Sequence, residues 1–131
     1  MEEKKKSELT VITKAKDLTN YVFTVTAKSP KHFRFSLVDR INNLCLDVIE
    51  KLFCANGVSV VGDKKAEAHE KRLKYQSEAM QALDLIDYLA QLSFEQGCIL
   101  FKQFEQIGKG AVECKRLLGA WINSDKRRFG A

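Results

Sequence analysis

The chain has 131 residues, 45% of them hydrophobic and 30% charged, which suits one domain with a core and excludes both a disordered and a membrane-embedded chain. One Pro and seven Gly leave little punctuation, so the elements are few and long, which here means helices. The formal net charge of +5 leans toward nucleic acid or another acidic partner, although an ordinary basic protein has the same balance.

The chain opens Met-Glu-Glu-Lys-Lys-Lys, without a leading apolar segment. It also lacks the run of about 18 apolar residues that a spanning helix needs. The four cysteines, Cys45, Cys54, Cys98 and Cys114, form no Cys-x-x-Cys pair and sit among apolar residues. They read as small buried hydrophobes. A reducing cytoplasm and no membrane partner are expected.

Residues 1–8 are charged and are expected to be a flexible N-terminus. Val11, Ala15, Leu18, Val22 and Val25 then recur at steps of four and three, which predicts a first helix. Val22 to Thr26 would also suit a strand, but the helical spacing runs through them unbroken. Ser29-Pro30 offers an N-cap and a first-turn proline. A second helix follows from about 30 to 56, striped by Leu37, Ile41, Leu44, Val48, Leu52 and Ala55. Asn56-Gly57 predicts a left-handed stop. Residues 57–63 are a loop whose valines could tuck back onto the helices.

A third helix is expected from about 63 to 96. Its first half is polar. Its second half confines polarity to the line Glu78, Gln81, Asp84, Asp87, Gln91 and Glu95. The remaining apolar arc is wider than a helix on a monomer's surface needs. Leu85, Tyr88, Leu89 and Leu92 are therefore read as a subunit interface. A fourth helix starts near Ile99 and is lined by Leu100, Phe104, Ile107, Ala111, Leu118, Trp121 and Ile122. Gly108 and Gly110 fall inside it, either for close approach of a neighbour or for want of selection on stability. Residues 125–131 read as a flexible basic tail. The expectation is an all-α, antiparallel up-down four-helix bundle over residues 9–124.

The residues give poor material for catalysis. His32 and His69 have no partner at a ligand spacing, and the Glu-x-x-His pairs of a di-iron bundle are missing. Gly108-Lys109-Gly110 is too short for a phosphate loop. No catalytic residue, metal or cofactor is expected, and the protein is read as not an enzyme. The basic residues carry more. Lys31, Arg34 and Arg40 surround the start of the second helix, Lys71, Arg72 and Lys74 cluster on the third, and Arg116 lies on the fourth. Such residues bind phosphates without reading sequence. Each taken singly also suits a solubilising charge.

Ser29-Pro30-Lys31 with Arg34-Phe35-x-Leu37 resembles the "PK-x-x-RF-x-L" opening of the second helix in a bacterial four-helix-bundle family. That family includes the proteins encoded by intervening sequences in 23S ribosomal RNA genes. It also includes the accessory variability determinant of diversity-generating retroelements. Arg72-x-x-Tyr75-Gln76-x-x-Ala79 resembles the retroelement branch, and Leu117-Leu118-Gly119-Ala120-Trp121-Ile122-Asn123-Ser124 resembles the family's closing "LLGGWIKS". Val48 to Asn56 departs from the "NIAEG"-like stretch of the ribosomal branch. Leu100 stands where the family usually has a Ser or Thr cap, and Ala120 where it has a second glycine. The resemblance implies a homo-oligomeric, pentameric ring with a positive surface. It further implies binding to the element's reverse transcriptase and to RNA or DNA in support of mutagenic retrohoming, without catalysis. The alternative is a scaffold of the ribosomal intervening-sequence type with no polymerase partner.

Overall fold

The computed structural model describes the backbone of residues 2–130 and the side chains of residues 10–130. Four α-helices and no strand occur among the described residues: α1 (Glu2–Thr26), α2 (Asp39–Asn56), α3 (Lys65–Glu95) and α4 (Phe101–Phe129). Each helix packs on two neighbours: α1 on α2 and α4, and α3 on α2 and α4. Successive contacts between α3 and α4 run in opposite directions. Arg72 meets Asp125, Asp84 meets Lys115, and Asp87 lies against Gly108. The result is an antiparallel bundle whose core is built from the apolar stripes.

In α1 the stripe Val11, Ala15, Leu18, Val22 and Val25 is buried. The β-branched residues do not tip it into a strand. Thr19 and Thr26 turn their hydroxyls back to donate to the Ala15 and Val22 carbonyls, each at 2.8 Å. This satisfies both groups inside the helix. The helical backbone already includes residues 2–8, earlier than expected, and the side chains there lie outside the described residues.

The α1–α2 corner departs from the expected plain helix start. Ser29 does not cap α2; its hydroxyl donates to the Cys98 carbonyl at 2.7 Å. Pro30 is extended (φ −54°, ψ 141°), and a 3-10 turn, Lys31–Phe33, follows it. Next comes a π-helical turn, Arg34–Val38, in which the Asp39 N–H donates to the Arg34 carbonyl five residues back. A π turn takes one residue more than an α turn and shifts the register of what precedes it. In a continuous α-helix Arg34, seven residues before buried Ile41, would face the core. With the extra residue, Phe33 packs against the core and Arg34 is exposed.

Gly57 has φ −77°, so the expected left-handed stop of α2 is absent. Left-handed glycines instead occur at Gly62 in the α2–α3 loop and at Gly97 after α3. At Gly97 the Cys98 N–H donates to the Ser93 carbonyl at 2.7 Å and the Gly97 N–H to the Phe94 carbonyl at 3.0 Å. This pair of bonds closes a Schellman motif. Within the loop Val60 is buried and Val61 stays exposed. At the other end of the next turn, the Leu100 N–H donates to Gln103 Oε1 at 2.8 Å, so α4 starts without a Ser or Thr cap.

Gly110 explains one of the mid-helix glycines. A Cβ there would meet Leu18 Cδ1 at 2.9 Å, so its absence lets α1 approach α4. The expected boundary at residue 124 is corrected as well. Asp125 is fully buried and α4 continues to Phe129, because the last turn closes the bundle base. Cys45, Cys98 and Cys114 are buried and Cys54 is half-buried, all as free thiols.

Candidate nucleic-acid and partner-binding surface

The seven basic residues expected to act together are divided between the two ends of the bundle and its side. Lys31, Arg34 and Arg40 are exposed at the α1–α2 corner. The Ser29–Cys98 hydrogen bond ties that corner to the α3–α4 turn. Lys71 and Lys74 are exposed near the start of α3, at the opposite end. At a rise of 1.5 Å per residue, Lys71 lies about 36 Å along α3 from Glu95. Arg116 stands on the side of α4, where its guanidinium bonds Glu113 at 2.7 Å. The Arg116 hydrogen bond lowers the Glu113 carboxyl below its ordinary pKa, and Glu113 in turn raises that of Arg116.

Arg72 is corrected: it is not presented to a ligand. Its side chain is 7% exposed. Nε and Nη2 donate to Asp125 at 2.9 and 3.3 Å, and Nη1 donates to the Val58 carbonyl at 3.3 Å. Gln76 Nε2 donates to the same carboxylate at 3.1 Å. The guanidinium lies 5.7 Å from the Trp121 and Phe129 ring centroids. A buried carboxylate accepting a forked pair and an amide is an organised ionic network. It ties α3, α4 and the α2–α3 loop together at the base. Its signal was in the spacing. Arg72 precedes Gln76 by four and Ala79 by seven, and Asp125 follows Trp121 by four and Leu118 by seven. Both stand on the core stripes.

The expected interface on α3 divides as well. Leu85 and Leu89 pack partly against the bundle's own core. Leu92 is half-buried, and Tyr88, between them on the outer flank, is 67% exposed. The wide apolar arc is therefore mostly consumed within the bundle, with Tyr88 at its outward edge. Other exposed apolar groups were not anticipated. Leu46 and Phe53, two turns apart on α2, face outward. At the α3–α4 turn exposed Phe94 and Phe101 pack on each other and on half-buried Phe104, with ring centroids 5.3 to 6.0 Å apart. Phe35 in the π turn is the most exposed large apolar side chain among the described residues, at 87%.

At the same corner an open pocket of about 490 Å³ is lined by Phe23, Thr26, Lys31, Arg34 and Asn42 among others, with Phe35 outside the lining. The lining holds two cations and no carboxylate. Neither Lys31 nor Arg34 has an ion-pair partner among the described residues, and the same holds for Arg40, Lys71 and Lys74.

Among the described residues no group of three or more His, Cys, Asp or Glu side chains is placed to hold a metal ion, and no helix is long and apolar enough to cross a membrane. The chain matches no family model and no curated protein.

Proposed function

We propose that this chain is a non-enzymatic accessory protein of a diversity-generating retroelement, working in the cytoplasm as a ring-like homo-oligomer. In this reading it binds nucleic acid and the element's reverse transcriptase. The observation that supports it best is the set of cations with no ion-pair partner among the described residues, Lys31, Arg34, Arg40, Lys71 and Lys74, standing at both ends of a bundle in which Arg72 and Arg116 are ion-paired. Cations left without partners are available to phosphates or to an acidic protein surface. Of the three motifs that carry the resemblance, the first lies at the corner at one end of the bundle, and the other two supply Arg72, Gln76 and Trp121 to the buried network at the opposite end.

Two experiments test the reading. Co-expression with a reverse transcriptase encoded beside the gene is expected to give a stable complex on affinity purification. A gene neighbourhood with such an enzyme and paired template and variable repeats is expected. A position inside a 23S ribosomal RNA gene, with no polymerase beside it, would favour the scaffold alternative.

A further inference from the structure

We propose that the α1–α2 corner is a contact site for single-stranded nucleic acid, with a base stacked on Phe35 and the flanking phosphates held by Lys31 and Arg34. The inference rests on the nucleic-acid part of the function proposed above and adds where the strand binds and in which form.

Four observations converge on the corner. Phe35 is 87% exposed, although an aromatic side chain gains most by burial. Its neighbour Arg34 is turned outward only because the π turn inserts a residue before α2. Single π turns occur frequently at functional sites, since they cost backbone regularity. Lys31 and Arg34 line a cavity of about 490 Å³ that contains no acidic side chain. This volume falls in the range of small-ligand sites. Thr26 Oγ1 and Asn42 Oδ1, 3.1 Å apart, add polar groups to the same lining.

An exposed ring next in sequence to Arg34 and one helical turn beyond Lys31, neither of them ion-paired among the described residues, fits a strand whose bases are free. Base–aromatic stacking with Lys or Arg on the adjoining phosphates is the general chemistry of single-strand binding. A duplex hides its base faces and offers phosphates alone, so it would use Lys31 and Arg34 but gain nothing from Phe35. An acidic protein surface could also seat on Phe35 and the two cations, but it would compete with single strand and duplex alike, and the test below separates the two.

The test is fluorescence anisotropy of the full chain with a labelled 20-nucleotide oligo-dT, an oligo-rU of the same length, and a 20-base-pair duplex. Phe35→Ala is expected to weaken single-strand binding by about 5- to 150-fold. It is expected to leave duplex binding unchanged. Lys31→Glu with Arg34→Glu should weaken both. Because Phe35 is exposed, the folded state is expected to survive the substitution, which circular dichroism melting checks. Equal losses on single strand and duplex, or no loss from Phe35→Ala, overturn the corner assignment. If only Lys71→Glu with Lys74→Glu reduces binding, the nucleic-acid reading stands and the corner fails. If the unaltered chain binds none of the probes at 50 mM salt, the nucleic-acid reading and this inference fall together. If the corner variants instead abolish only capture of the reverse transcriptase, the corner is a protein contact.

Discussion

Arg72 and Asp125 illustrate how much a single residue's role depends on what it faces. Removing one member of a buried, hydrogen-bonded pair strands the other charge and costs about 3–5 kcal/mol. Asp125→Ala is therefore expected to lower urea-unfolding stability by about that amount, whereas Lys71→Ala, one residue from Arg72 but exposed, should change it by less than about 0.5 kcal/mol. Replacing both partners, Arg72→Met with Asp125→Leu, is expected to recover most of the loss. The thiols give a second residue-scale prediction. Burial pushes the Cys45 thiol up to about 12 and Cys114 up to about 11, with the neighbouring Thr19 side chain offsetting part of the first. The folded state thus holds protons that the unfolded chain releases near pH 9.0, its ordinary value. Their contribution is complete below about pH 9 and declines as pH rises toward the folded values. Cys45→Ala is expected to flatten the fall of Tm between about pH 9 and 11 relative to the unaltered chain. Half-buried Cys54 should be the first thiol to react with an aromatic disulfide reagent at pH 8, ahead of Cys45 and Cys114.

The elements were legible to the extent that periodicity governs them. The α1 stripe, the α2 stripe from Ile41 onward, and Ile107, Ala111, Leu118 and Trp121 of α4 fall on buried residues because 3–4 spacing leaves a helix only one face to bury, whereas Leu100, expected to line α4, is 69% exposed just before it. Connections were harder to read. The stretch from Phe33 to Val38 carries apolar side chains at four of six positions, which fits an α, 3-10 or π path equally, and packing of Phe33 decides among them. The unpaired cations of the corner were visible as charges, but the π turn that exposes Arg34 was not. Arg72 was misread because composition treats a charged residue as solvated, and its carboxylate partner lies 53 residues away. The α4 glycines separate two physical cases. At Gly119 a Cβ would meet nothing within 4 Å, so Gly119→Ala should stabilise the helix by about 1 kcal/mol. Differential scanning calorimetry is expected to show Tm raised by about 2–6 °C. At Gly110 the same methyl meets Leu18, so Ala should come out near neutral and Gly110→Leu should destabilise by about 1–3 kcal/mol.

For the whole molecule, the proposed ring makes the exposed edge of α3 a contact between copies. Light scattering on the unaltered chain is expected to give an integer multiple of 14.9 kDa, and Tyr88→Arg a smaller species with unchanged helicity. A mass of one subunit for the unaltered chain would remove the oligomer from the proposal. The π turn has a further consequence at this scale: the chain is one residue longer than its packing requires. Ser36 is exposed, and its hydroxyl makes only a long 3.4 Å bond to the Phe33 carbonyl. Deleting it would let the turn relax into α-helix while Phe33, then seven residues before Ile41, kept its place against the core. The deletion variant is expected to melt no lower than the parent and to lose the corner's geometry. The surplus residue would then be one that folding can spare and that only the shape of the corner requires.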